Sequence, residues 1–369
     1  MKILQLGKFW PVKGGVEKVM YDLTCGLAAK GVACDMLCSE TEGAGRIINV
    51  APNAHVVTSN TWLKAAATTI SPSTVTYLRG MADDYDIIHV HHPDPMAALA
   101  LRLSGYKGKV VLHWHSDILK QKRLLKLYEP LQQWLIDRAD AVVGTSPEYI
   151  SHSTALANAA GKTRCIPIGI EPMTPDHAGA AKIRAGFPGK KIIFFLGRLI
   201  PYKGLEYLVT AAAHLPEDYV VVIGGTGPLE NDLRQQRAAL KLDNRVVLLG
   251  EVPEEMKAAW YGACDIFCLP SVMKTEAFGI VQIEAMSLGK PVVATRIDGS
   301  GTAWVNSHGV SGLNVEVRDA RALAKAMTDI LADPDTYAAY SRGAADRFRT
   351  IFHIDTMIDN TLRLYRSLL

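Results

Sequence analysis

The sequence predicts an α/β protein made of two doubly wound, parallel-sheet domains, and three observations carry that prediction. Short apolar runs that end in glycine, serine or a polar turn alternate along the chain with segments whose apolar residues recur at helical spacing. A stretch rich in Pro, Gly, Ala and charge, Pro172 to Gly189, interrupts the alternation near the middle. A chain of 369 residues with 49% apolar content can bury a large core and is expected to split into two domains. The expected boundaries are residues 1–171, 172–350 and, for a closing helix, 351–369.

In the first domain, Lys2-Ile3-Leu4-Gln5-Leu6-Gly7 reads as a strand, Phe9 to Gly15 as a glycine loop, and Val16, Val19, Met20, Leu23 and Leu27 as the apolar face of a helix. Paired Gly14 and Gly15 let backbone N–H groups come close to a ligand. Further strands are expected at Cys34 to Ser39, His55 to Thr58, Ile87 to His91, Val110 to His113 and Ala141 to Val143. In such sheets ligands gather at the carboxyl ends of the strands. His89 with His91, and His113 with His115, alternate on strands and so share faces. They lack a Cys or carboxylate at ligand spacing, so no metal site is expected.

The second domain opens on the buried strand Ile192 to Leu196, which delivers Gly197-Arg198 and Lys203-Gly204 to a strand end. A forked guanidinium and an ammonium there suit a diphosphate group developing negative charge. Val220 to Ile223 runs into the glycine turn Gly224-Gly225-Thr226-Gly227, and Val246 to Leu249 into Gly250-Glu251. The segment Lys274 to Gly289 compresses an acidic residue, a glycine turn and an apolar helix. On one helix Glu276 and Glu284 would stand about 80° out of line, so they are assigned different jobs. Glu276 is expected on the loop, Gly279 at the helix start and Glu284 just over one turn inside, with Ile280, Ile283 and Met286 facing the core. The backbone N–H groups of Phe278, Gly279 and Ile280 then form a helix N-terminus suited to phosphate. Asp333-Pro334-Asp335 lies between late helices and reads as a turn. The tail from Tyr337 carries an apolar stripe of Phe348, Ile351, Phe352, Met357, Ile358, Leu362 and Tyr365.

Composition narrows the function classes. No apolar run approaches the roughly 20 residues of a membrane span, and Met1-Lys2-Ile3-Leu4 leads straight into a strand. Six cysteines, Cys25, Cys34, Cys38, Cys165, Cys264 and Cys268, sit mostly in apolar patterns, so a reduced, cytoplasmic setting is expected. Net charge is +3, with 18 Lys plus Arg against 14 Asp plus Glu in residues 1–170 and 22 against 23 thereafter. The excess concentrates at Lys120, Lys122, Arg123 and Lys126, read either as a solvated helix face or as a peripheral contact with anionic lipid or a diphosphate-bearing acceptor. Basic residues are too few for a nucleic-acid partner.

Taken together, Gly14-Gly15-x-Glu17, His115, Gly197-Arg198-x4-Lys203-Gly204 and Glu276-x7-Glu284 resemble, in order, the motifs of the retaining, nucleotide-sugar-dependent glycosyltransferases of family 4. The resemblance covers essentially the whole chain. It implies the GT-B fold: two Rossmann-like domains facing across a cleft, with the C-terminal helix crossing back to the first domain. It also implies sugar transfer from a nucleotide-sugar to a hydroxyl with the anomeric configuration kept. His115 and Glu276 would then contact the sugar, and Arg198 and Lys203 the diphosphate. Gly14, Gly15, Gly225, Gly227, Glu251, Phe278, Gly279, Ile280 and Glu284 would surround the nucleotide, with Glu284 on the ribose. No cofactor or metal is implied, because the cations and the helix N-terminus stabilise the leaving group. Ser300 to Leu313 is similar to a bacterial branch that assembles lipopolysaccharide, O-antigen or exopolysaccharide, with a glycan or lipid-linked acceptor. That favours a GDP-mannose-like donor, with UDP-sugars next. A nucleotide-sugar 2-epimerase and a non-catalytic nucleotide-sugar-binding subunit are the alternatives.

Overall fold

The computed structural model describes residues 1–65, 68–118 and 122–369 and divides the chain into two compact units. One unit is Met1–Gly169 with Ile354–Leu369, and the other is Ile170–His353. The divisions thus fall at Gly169 and His353 rather than at residues 171 and 350.

The first unit contains β1 (Lys2–Trp10), β2 (Ala33–Glu40), β3 (Ile47–Ala51), β4 (Ala54–Ser59), β5 (Leu63–Ala65), β6 (Thr68–Ile70), β7 (Ile87–His92), β8 (Lys109–Trp114), β9 (Ala141–Gly144) and β10 (Thr163–Cys165). Eight of them form one sheet in the order β10-β9-β8-β7-β1-β2-β4-β3, while β5 and β6 make a separate antiparallel pair. Every pairing in the large sheet is parallel except β3 with β4. Strand β7 is buried at all six positions, as a central parallel strand covered on both faces must be. The helix that follows it, Pro95–Ser104, starts with the Asp94 carboxylate accepting from Ala97 N–H and Pro95 in the first turn, and stops at Gly105, whose φ is +74°.

The second unit contains β11 (Lys191–Leu196), β12 (Tyr219–Gly224), β13 (Val246–Gly250), β14 (Ile266–Leu269), β15 (Val292–Arg296) and β16 (Gly312–Glu316). They form an all-parallel sheet ordered β13-β12-β11-β14-β15-β16. The Pro- and Gly-rich stretch before β11 belongs to this unit and holds the helix His177–Ala185, capped by Asp176 accepting from Gly179 N–H at 2.8 Å. Phe194, Phe195 and Phe267 are fully buried in the sheet's core, each contributing roughly 1.5–3 kcal/mol of burial free energy.

Both sheets have one place where successive strands go opposite ways, and such a switch point opens a crevice at the carboxyl strand ends. In the first unit it lies between β1 and β7, and in the second between β11 and β14. Gln5 to Trp10 and His91 to Asp94 meet at the first, and the loops after Leu196 and Leu269 at the second.

The C-terminal apolar stripe is split. Phe348 and Phe352 are buried in the second unit, where Phe352 packs edge-on against Phe278 with ring centroids 5.9 Å apart. Met357, Ile358, Leu362 and Tyr365 are buried on the helix Ile354–Leu368, which lies on the helix Gly15–Ala29 of the first unit. Gly26 makes that approach feasible, since a Cβ there would stand 2.0 Å from Ile358 Cδ1. Asp333 caps the helix Pro334–Arg347 by accepting from Thr336 N–H at 2.8 Å, so the Asp-Pro-Asp triplet is a helix start. Cys34, Cys38, Cys264 and Cys268 are buried, whereas Cys25 is half-buried and Cys165 exposed. No helix among the described residues is long and apolar enough to cross a membrane.

Candidate functional site

In the second unit the switch point gathers the residues singled out by sequence. Lys203 follows β11 in a short turn closed by Gly204, whose φ is +64° and whose Cβ position is taken by Pro270 O, 2.2 Å away. A glycine is therefore obligatory where the β11 loop crosses the β14 loop. Lys203 is 7% exposed and donates to Glu276 Oε2 at 2.5 Å, and Ser271 Oγ donates to the same oxygen at 2.9 Å. Ser300 Oγ bonds the Glu276 carbonyl, and Gly301 N–H bonds the Ala277 carbonyl at 2.9 Å. The acidic turn is thus clamped on both sides. No motif marks Ser271 or Ser300: Ser271 reaches Glu276 within its own loop, and Ser300 reaches it from the loop after β15.

Arg198 is exposed on the turn between Gly197 and Leu199. That turn is pressed against the glycine loop after β12: Leu199 N–H bonds Thr226 O at 2.9 Å, and Leu229 N–H bonds Leu199 O at 3.1 Å. A Cβ on Gly225 would lie 1.9 Å from Gly197 O, and one on Gly227 2.4 Å from Leu199 O. These glycines fix where the arginine loop runs. Glu251 is exposed just past β13.

The helix Ile280–Ser287 begins at Gly279, with φ +80°, so Glu276 lies on the preceding loop and Glu284 in the second turn. Ile283 and Met286 are buried as expected, but Ile280 is only half-buried. Gln282 takes the inward place, with its amide donating to Phe278 O at 3.2 Å and Thr302 O at 3.4 Å. Phe278 is 4% exposed, so its side chain belongs to the core. Glu284 accepts from the Tyr261 hydroxyl at 2.6 Å. Burial, reinforced by the Glu284 charge, pushes the Tyr261 phenol well above its ordinary value and keeps it a donor.

In the first unit, Gly14 caps the helix Gly15–Ala29 from an extended backbone. The Glu17 carboxylate folds back over it, and a Cβ on Gly14 would lie 2.1 Å from Glu17 Oε2. Lys8 lies beside this loop and escaped the sequence reading, having no motif to mark it. Its φ is +62°, uncommon for a side-chain-bearing residue. It is 8% exposed, its N–H donates to Asp94 Oδ2 at 2.5 Å, and its ammonium bonds Pro93 O. Burial lowers the Lys8 pKa, opposed by the charges of Asp94 and Glu17. Asp117 accepts from Trp114 Nε1 at 2.9 Å and from Ser153 Oγ at 2.7 Å.

His115 follows β8 and is 6% exposed. It stacks on His113 at 4.0 Å and on His91 at 5.1 Å, and His89 extends the stack. Ligand nitrogens of His89, His91 and His113 lie within 4.8 Å of one another. The three rings are stacked within 26° of parallel. Burial holds His89, His91 and His115 well below the ordinary imidazole value and His113 at about 3. Unfolded histidines titrate near about 6.5. Below that pH the unfolded chain binds more protons than the folded one, so stability is complete above about 6.5 and falls as pH drops toward about 3. Thermal melts from about pH 7.5 down to about pH 5 should therefore show a falling Tm, and a flat Tm would show that these imidazoles are not buried neutral.

Of the basic run, Lys120 lies outside the described residues, as do the side chains of Lys122 and Arg123; Lys126 is exposed beside Leu127, which is 81% exposed.

Residues 13–173 match the family described as Glycosyltransferase Family 4, and residues 181–347 match Glycosyl transferases group 1. The chain is 35% identical to O-antigen chain mannosyltransferase C of Escherichia coli, covering all of this chain and 99% of that protein. It is 33% identical to D-rhamnosyltransferase WbpZ of Pseudomonas aeruginosa over 92% of this chain and 88% of that one. Among solved structures, sucrose-phosphate synthase from Thermosynechococcus elongatus superposes with a TM-score of 0.82 at 24% identity, covering 100% of this chain and 99% of that one. Anabaena HepE in complex with UDP-glucose superposes with a TM-score of 0.76 at 21% identity, covering both chains fully. With two parallel Rossmann-like units whose motifs stand at their switch points, the chain belongs to glycosyltransferase family 4 and has the GT-B fold.

Proposed function

We propose that the protein transfers a hexose, with retention, from a nucleoside diphosphate sugar to a hydroxyl of a glycan or lipid-linked acceptor in O-antigen or related surface-polysaccharide synthesis. The observation that carries this reading is the buried Lys203–Glu276 pair, with the exposed Arg198 on the same strand-end loop. A cation suited to the diphosphate and a carboxylate suited to sugar hydroxyls lie side by side where the loops after β11 and β14 meet, which supports the reading. The relative named as an O-antigen chain mannosyltransferase supports the acceptor class, and a GDP-mannose-like donor is proposed ahead of a UDP-sugar.

In the proposed reaction the bond from the anomeric carbon to the diphosphate oxygen breaks and a bond to the acceptor oxygen forms on the same face. The acceptor proton passes to the departing phosphate. Asp94 and Asp117 are committed to backbone, indole and hydroxyl donors, which speaks against a carboxylate nucleophile from those positions. Arg198, Lys203 and the N-terminus of the helix Ile280–Ser287 supply the charge stabilisation that a metal supplies elsewhere. His115 contacts the sugar, and Glu284 the ribose. The exposed Lys126 face is proposed as a peripheral contact with the cytoplasmic face of the membrane.

The test is a transfer assay with a panel of nucleotide-sugars and a lipid-linked acceptor, run with and without EDTA. Transfer from one donor class that persists in chelator is expected. Formation of an epimer from donor alone, binding without turnover, or activity lost to EDTA and restored by Mg²⁺ or Mn²⁺ would each overturn a named part of the proposal.

A further inference from the structure

Gln5, at the centre of β1, is fully buried and joins the C-terminal helix to the histidine stack. Its Nε2 donates to the Tyr365 hydroxyl at 3.1 Å and approaches Cys34 Sγ at 3.7 Å, while its Oε1 lies 2.8 Å from His91 Nε2. His91 Nδ1 is 2.9 Å from His115 Nε2. The Tyr365 hydroxyl is 2.5 Å from His89 Nδ1.

The direction of this chain follows from the amide at its centre: Gln5 turns Oε1 to His91, because its Nε2 donates to the Tyr365 hydroxyl and faces the Cys34 thiol. Burial keeps that thiol protonated, pushing its pKa up to about 12. The neutral sulfur is a weak acceptor for Gln5 Nε2. An amide oxygen only accepts, so His91 carries its proton on Nε2. Neutral His91 therefore has its lone pair on Nδ1 and accepts from His115 Nε2–H.

We infer that Tyr365, Gln5 and His91 form a buried relay that fixes His115 as its Nε2–H tautomer, so that Nδ1 faces the substrate as a hydrogen-bond acceptor for a hydroxyl of the transferred sugar. The sugar contact rests on the proposed function; the tautomer rests on the relay alone. Gln5, His91 and Tyr365 are positioning residues, and the C-terminal helix, which supplies Tyr365, is part of the sugar site's support. The relay also gives a reason for a glutamine in an apolar strand.

The experiment is long-range ¹H–¹⁵N correlation on the full-length protein with ¹⁵N-labelled histidine. In the wild type, His91 and His115 are expected with protonated Nε2 and unprotonated Nδ1. Gln5→Met, which keeps length and removes the acceptor, is expected to give His115 a mixture of tautomers and to lower kcat/KM by about tenfold, mainly through donor KM. Tyr365→Phe removes one hydroxyl and is expected to shift the same signals in the same direction by less. An Nδ1–H tautomer at His115 in the wild type overturns the relay without any variant, so a Gln5→Met protein that fails to fold leaves it falsifiable. Unchanged His115 signals in a folded Gln5→Met protein also overturn it. If the tautomers behave as expected while His115→Ala leaves donor KM unchanged, the relay stands and the sugar contact falls.

Discussion

Lys203→Ala is expected to lower turnover by about 10²–10³ and, unlike Arg198→Ala, to lower the melting temperature as well. The turnover loss follows from removing a cation proposed to lie beside the departing diphosphate, and both variants should show it. The difference in stability follows from burial. Lys203 and Glu276 have side chains only 9% and 10% exposed and are paired at 2.5 Å, so deleting the lysine leaves a buried carboxylate with Ser271 as its remaining side-chain donor. Breaking such a pair from one side costs about 3–5 kcal/mol. Arg198 is exposed, and its removal uncovers no buried charge. The double variant Lys203→Ala, Glu276→Gln should regain much of the lost stability and none of the turnover. Calorimetric melts and single-turnover assays on the three proteins separate these effects. Equal melting temperatures for wild type and Lys203→Ala would show that the pair is not buried as described, and near-normal turnover in Arg198→Ala or Lys203→Ala would remove the assignment of both cations.

The local parts of this site were legible because they are written in short-range chemistry. Apolar runs marked most strands, Gly279 marked the start of its helix, and the glycines around Arg198 and Lys203 marked a tight strand-end turn. What was not legible depends on residues far apart in sequence. The Lys203–Glu276 contact spans 73 positions and exists because β11 and β14 are neighbours, an order that no local pattern specifies. The Tyr365–His89 contact spans 276. The tail shows the same limit from the other side: apolar spacing continues from Phe348 to Tyr365, yet the chain leaves helical geometry at His353 and the two halves of the stripe pack in different units. Ile280 was assigned inward on periodicity alone. Gln282 displaces it because its amide satisfies two buried carbonyls, and a hydrogen-bonded polar side chain can occupy a core position that periodicity reserves for an apolar one.

Glu284→Gln and Glu276→Gln are expected to fail in different ways, because the helix start at Gly279 separates the two carboxylates. Glu284 sits on the helix with its orientation held by the Tyr261 hydroxyl. If it accepts from the ribose, the amide weakens a charge-assisted bond worth about 1.5–3 kcal/mol, and affinity for nucleoside diphosphate and for donor should fall together by one to two orders of magnitude. Tyr261→Phe should give a smaller loss of the same kind, since it frees the carboxylate without removing it. Glu276, on the loop and bound to Lys203, has its proposed partner only on the intact donor. Its conversion to Gln releases Lys203 from a neutralising charge, so affinity for nucleoside diphosphate should hold while transfer drops, the pattern of an interaction made with the reacting sugar. Titration calorimetry of each variant with nucleoside diphosphate, and with donor under single-turnover control, separates the cases. An equal loss of nucleoside diphosphate affinity in Glu276→Gln and Glu284→Gln would place both carboxylates on the nucleotide, and the division of labour between loop and helix would have to be abandoned.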